Sequence, residues 1–167
     1  TNQVVGDPLR ARPGDLLPGG YAVVRKLGTG STATAMLVRK DDRDFVVKIA
    51  VDTDHNGRVR DEGEVLQKFN NNYIIHCHGI LEMGGRTALL LDPAGDTRTG
   101  DPLTLGKRIK MEGRLSLDLL QRFGEDLLEA VVVLEDAGIP HRDIKPENIG
   151  TSRWGRDGAL HLVLFDF

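Results

Sequence analysis

The feature of this sequence that most limits its fold is a change in the spacing of apolar residues just past the midpoint. Up to residue 92 they gather in short stretches, "YAVVRKLG", "TATAMLVRK", "DFVVKIAV" and, around a Gly-Gly pair, "YIIHCHGILEMGGRTALLLD", separated by turn formers such as "TGS" and "DDRD". Short β-branched stretches bounded by Gly and Asp predict strands joined by tight turns, five in all, in an antiparallel meander. One segment breaks that rhythm: "GRVRDEGEVLQKFNN" spaces Val59, Glu62, Val65, Leu66 and Phe69 at intervals of three and four, as one face of a helix requires. After the Gly/Pro/Asp-rich connector "DPAGDTRTGDP" the pattern is helical. "LTLGKRIKMEG" predicts a short helix and "SLDLLQRFGEDLLEAVVVLEDAG" a longer one. In the longer, Leu119, Leu120, Phe123, Leu127, Leu128 and Val131 form a broad apolar face and Gly138 marks the stop. The last stretch, "LHLVLFDF", predicts a buried strand. The expected class is α+β. A leader over residues 1–20, extended and packed by a few leucines, precedes a five-stranded lobe with one main helix over residues 21–92. A connector at 93–97 leads to a mainly helical part over 98–167.

Composition narrows the function. The 167 residues are 40% hydrophobic, enough for a core, and 22 basic against 25 acidic residues leave a net charge of −3. Without a basic field, nucleic acid is not an expected partner. The single cysteine, Cys77, excludes an internal disulfide, and no apolar run reaches membrane length, so the expected setting is cytoplasmic and off the membrane.

Four stretches carry chemistry. "LGTGSTATAMLV" places Gly28, Gly30 and Ala33 where backbone N–H groups can approach phosphate oxygens without side chains intervening. Another strand follows this turn, where a dinucleotide fold would need a helix, so a Rossmann reading is disfavoured. Lys48 interrupts the apolar strand "FVVKIA", where its charge is costly without a partner. Glu62 and Glu64 compete for that role; Glu62 is preferred because Val65, Leu66 and Phe69 set the buried face beside it. In "HRDIKPENIG", Asp143 can accept or orient a hydroxyl proton, Lys145 can neutralise charge on a transferring phosphoryl group, and Asn148 offers a neutral oxygen to a hard cation such as Mg²⁺. Asp166, after "LVLF", is a carboxylate that could join the same cation. "HCH" at residues 76–78 invites a metal reading, but strand alternation sets His76 and His78 on one face and Cys77 on the other, against a shared ion.

In this order, from about Tyr21 to Phe167, these elements resemble the protein kinase signature set: glycine-rich loop, strand lysine, helix glutamate, "HRDxKPEN" loop and the "DF" of a DFG motif. The resemblance implies a two-lobed kinase fold, with residues 93–97 as hinge and ATP and Mg²⁺ as ligands. Lys48 would hold the α/β-phosphates and pair with Glu62, Asp143 and Lys145 would act in catalysis, and Asn148 with Asp166 would ligate Mg²⁺. Leu27, Gly28, Gly30, Ala33, Ala35 and Val46 would line the nucleotide, Leu91 would guard the back pocket, and the backbone of Asp92 and Ala94 would meet adenine. Leu66, Cys77, His141 and Phe167 would stack as a spine between the lobes, which makes Cys77 core rather than nucleophile. "DIKPEN" with Lys145 resembles serine/threonine kinases, so the expected partner is a protein bearing a Ser or Thr hydroxyl. The leader and glycine-rich stretch together resemble the kinase module of bacterial multidomain proteins of the phage growth limitation type.

The departures are specific. Ala33 stands for a third glycine, Ala35 for a valine, Val46 for an alanine, and Gly150 for a leucine of the pocket floor. The sequence stops at the second letter of DFG, so a fragment of a kinase domain is expected, inactive alone and prone to self-association through an uncovered large-lobe surface. Two other readings stay open: a pseudokinase that binds nucleotide as a scaffold, and a small-molecule phosphotransferase, whose loop typically resembles "HGDxxxxN".

Overall fold

The computed structural model describes residues 4–94, 104–140, 144–154, 156 and 158–165. The chain divides into two compact units, one formed by residues 1–69 and 76–93, the other by residues 70–75 and 94–167.

The first unit is built on an antiparallel sheet of β1 (Leu16–Leu17), β2 (Tyr21–Thr29), β3 (Ala33–Lys40), β4 (Arg43–Ala50), β5 (Cys77–Met83) and β6 (Arg86–Leu91), in the order β1-β2-β3-β4-β6-β5. Two of its hairpins turn on two-residue loops, Asp41-Asp42 and Gly84-Gly85, with φ positive at all four residues. That twist matches the right-handed twist of the strands. Five strands were expected and six are found. The extra one, β1, comes from the leader: two residues are too few to show a period, and Leu16 and Leu17 become a strand only by pairing with Ala22 and Tyr21.

Alternation along the strands gives the sheet two faces. One carries Val23, Met36, Val38, Val47, Ile49, Ala88 and Leu90, and the leader closes it with Ala11 and Leu17, with Val5 and Leu9 packed alongside. The leader is tied down by the Val5 N–H donating to the Leu16 carbonyl and the Lys26 ammonium donating to the Leu9 carbonyl, both at 3.0 Å. The other face carries Lys48 and Leu89 and receives helix α1 (Asn56–Gln67). The Asn56 side chain pins the start of α1 to the β5–β6 turn: it donates to the Gly85 carbonyl at 3.1 Å and accepts from the Thr87 N–H at 2.8 Å.

The second unit contains α2 (Leu105–Glu112), α3 (Leu117–Asp136) and a hairpin of β7 (Ile149–Trp154) and β8 (Ala159–Leu164). Thr104 and Ser116 cap the helices, accepting from the Lys107 and Leu119 N–H groups. Gly138, at φ 67°, ends α3 as expected. The buried stripe of α3 is Phe123, Asp126, Ala130 and Leu134, whereas Leu120, Leu128 and Val131, expected on the apolar face, are exposed. The apolar face of the helix is broader than one neighbour covers, so spacing alone does not say which part of it is buried. The β7–β8 hairpin decides it: buried Asp126 accepts from the Leu162 N–H at 3.0 Å and meets His161 Nδ1 at 3.1 Å. No described helix is long and apolar enough to cross a membrane.

Candidate functional site

In the first unit the glycine-rich turn joins β2 to β3. The Gly30 N–H closes it on the Ala33 carbonyl at 2.8 Å, and the β2–β3 register slips between Lys26 and Gly28, around Leu27. Neither Gly28 nor Gly30 has the left-handed backbone that would demand glycine. A Cβ at Gly28 would meet nothing within 4 Å, and one at Gly30 would come no closer than 3.6 Å to the Ala33 carbonyl. What these glycines provide is exposed backbone with no side chain to keep a ligand away, the Gly30 N–H itself being taken up by the Ala33 carbonyl.

Next on the sheet, Ala35 pairs with Lys48, Lys48 with Leu89, and Val46 with Leu91. Ala35, Val46 and Lys48 are half-buried and Leu91 is buried. Lys48 Nζ donates to both carboxylate oxygens of Glu62 at 2.9 Å, with side-chain exposures of 15% and 8%. Of the two glutamates that competed for Lys48, Glu62 faces the sheet and Glu64 is exposed. The reach depends on a residue that the periodicity argument passed over. Gly63 lies on α1 where a Cβ would fall 2.5 Å from Leu89 Cδ2 and 2.8 Å from Ile80 Cγ1. Lacking it, the helix settles onto β5 and β6, close enough for its neighbour Glu62 to meet Lys48. An isolated glycine inside a helical pattern was the available signal.

Beside this pair, Leu66 is fully buried and Cys77 nearly so. Burial pushes the Cys77 thiol up; a hydrogen bond with the Gly79 backbone opposes that and the negative charge of Glu62 adds to it. Such a thiol is a poor nucleophile. His76 and His78 meet edge to face with ring centroids 4.5 Å apart, and His78 Nε2 lies 2.5 Å from Asp92 Oδ1. Asp92 is thereby held at the end of β6, its backbone N–H donating to the His76 carbonyl at 3.0 Å, which leaves its carbonyl, not its amide, as the backbone group to offer a ligand.

In the second unit, Lys145 precedes a single 3₁₀ turn, Pro146–Asn148, and the Asn148 N–H donates to the Lys145 carbonyl at 2.9 Å. Proline suits the first position of such a turn because it has no N–H to satisfy. Gly106 of α2 abuts this turn: a Cβ there would lie 3.4 Å from the Pro146 carbonyl carbon and 3.5 Å from Glu147 N. Asn148 is half-buried and opens directly into β7, while Lys145 is exposed. Ile149 pairs with Leu164, so Asn148 and Phe165 adjoin one end of the hairpin. The candidate residues Asp143 and Asp166, and the proposed spine residues His141 and Phe167, lie outside the described residues.

The protein kinase domain family profile matches residues 21–167. The chain is 36% identical over 184 aligned residues to a Streptomyces coelicolor protein named Probable kinase PglW, covering 96% of this chain and 12% of that protein. A match of that extent includes most of the twenty-residue leader. It is 27% identical to the serine/threonine-protein kinase OXI1 of Arabidopsis thaliana, over 87% of this chain and 36% of the relative. Among solved structures, Rad53 residues 1–466 in complex with AMP-PNP superposes with a TM-score of 0.73 at 23% identity, covering 88% of this chain and 38% of that one. The chain thus spans well under half the length of these relatives.

Proposed function

Because the chain belongs to the protein kinase domain family, we propose that it transfers the γ-phosphoryl group of Mg-ATP to a serine or threonine hydroxyl of a protein. The observation that carries the proposal is the Lys48–Glu62 pair, a bidentate ion pair on the inner face of the sheet. Removing an ammonium from water is costly, and a charge kept there at that cost is well suited to a ligand with more negative charge than Glu62 alone supplies. In this reading Lys48 steadies the α/β-phosphates, the side-chain-free backbone around Gly28 and Gly30 covers them, and Leu27, Ala33, Ala35, Val46 and Leu91 line the nucleotide. The carbonyl of Asp92 and the backbone of Ala94 meet the adenine edge. Asp143 orients the attacking hydroxyl, and Lys145 offsets charge on the phosphoryl group in flight.

The donor set of Asn148 and Asp166 is all oxygen, which fits a hard cation and not a thiophilic one. Mg²⁺, when bound, supplies charge neutralisation on the phosphate oxygens. The serine/threonine assignment draws on Lys145 within "DIKPEN" and on relatives such as OXI1.

The test is a transfer assay with Mg-ATP and a generic protein substrate, run on the full-length native protein. Lys48→Met should slow transfer by about 10²–10³-fold, the scale on which loss of one transition-state donor is felt. Asp143→Asn should lower turnover while leaving ATP affinity within a few-fold of the parent. Nucleotide binding with no transfer in the parent would replace this reading with that of a nucleotide-binding scaffold.

A further inference from the structure

We infer that Gly150 is a positioning residue for the nucleotide: its missing side chain is the notch that seats Ala94, whose backbone the proposed function assigns to the base. Gly150 is the second residue of β7, buried and paired with Val163. A Cβ built on it would lie 2.6 Å from the Cβ of Ala94 and 3.3 and 3.5 Å from Cε1 and Cδ1 of Phe165. The first distance is well inside van der Waals contact, and the opposing atom is a Cβ, which cannot swing aside as the end of a long side chain can. Any residue but glycine at 150 must therefore displace the backbone at Ala94 or the strand itself. The conformation of Gly150 is not the reason for glycine, since its φ lies outside the left-handed region. Space is the reason. The Phe165 ring lies on a second side of the space that a Cβ on Gly150 would take.

The contact belongs wholly to the second unit, and Ala94 reaches it directly from the connector. Enlarging residue 150 should then move the backbone that meets the base while leaving phosphate-binding and transfer groups in place. The effect of such a change falls on KM for ATP rather than on kcat.

This inference rests on the kinase reading, and two readouts separate them. In the full-length native protein, Gly150→Ala should raise the KM for Mg-ATP by about two- to tenfold, the range over which one hydrogen bond to the base is felt. The loss should appear in KM and not in kcat. Adding Ala94→Gly removes the opposing Cβ, and the double variant should recover most of the loss; it should also recover most of any fall in thermal midpoint. Should Gly150→Ala fail to fold, Ala94→Val overfills the same notch from the other side and must give the same KM-selective loss. A Gly150→Ala protein with parental KM, or a double variant no better than the single, overturns the inference while the kinase reading stands. A parent that binds no Mg-ATP overturns both.

Discussion

The two units bury their apolar residues in different ways. In the first, the sheet is closed on both faces, by α1 on the Lys48 side and by the leader on the Val47 side, and Met36, Leu37, Val38, Val47, Ile49, Leu66 and Leu89 are all at most 2% exposed. In the second, the β7–β8 hairpin covers one side of α3, and Leu117, Leu120, Leu128 and Val132 remain exposed, Leu117 at 84% and Leu128 at 68%. A strand has two sides separated by half a period, so covering both needs just two layers, and residues 4–17 provide the second. A helix with an apolar face as broad as that of α3 needs more neighbours than one hairpin. The contrast also explains where polar groups can be sunk. Lys48 and Glu62 are held between covered layers and satisfy each other; Asp126, beneath the hairpin, is satisfied by the Leu162 amide and His161. Tyr73, near that acidic side of α3, has its hydroxyl pushed up by burial first and then by the negative charges of Asp126, Glu129 and Glu125.

Phe123→Ala should have the largest effect on stability. Phe123 is 3% exposed and one of few large side chains between α3 and the hairpin, so its loss should cost about 3–5 kcal/mol. Denaturant titration monitored by hydrogen exchange in α3 reads it. A loss below about 1 kcal/mol would mean that the hairpin does not hold α3 by that face.

Gly63→Ala comes next, and tests whether tight packing in the first unit serves the ion pair. The added methyl must displace the ends of Leu89 and Ile80, at a cost of about 1–3 kcal/mol. It should also slow phosphoryl transfer more than the stability change explains, because α1 lifts and Glu62 withdraws from Lys48. Equal transfer at saturating substrate in parent and variant would uncouple the helix seat from the pair.

Leu128→Ala should have the smallest effect, within about 0.5 kcal/mol of the parent, as at an uncovered surface position. A cost approaching that of Phe123→Ala would show that this face is buried in solution, and the contrast between the units would fail there.

Much of the candidate site was legible without coordinates because strands and short motifs are local in sequence. The alternation of "FVVKIA" already sets Val46 and Lys48 on the face opposite Val47 and Ile49, and helical spacing already favours Glu62 over Glu64. What escaped were contacts between residues far apart in the chain. Asp126 reads as one more charge on an amphipathic helix until His161 and the Leu162 amide, some 35 residues on, are brought to it. Gly63 and Gly150 read as a weak point in a helix and a departure from a motif until Leu89 and Ala94 are seen in the space their side chains would fill.

The sequence by itself determined the class of fold, the order of strands and helices from β2 to α3, and the candidate groups for phosphate, metal and hydroxyl, since periodicity and motif spacing are properties of neighbouring residues. Tertiary structure decided which face of α3 is buried, that the leader completes the sheet, and why glycine stands at 63 and 150. Each of those depends on what occupies the space beside a residue, and local sequence carries no record of distant neighbours.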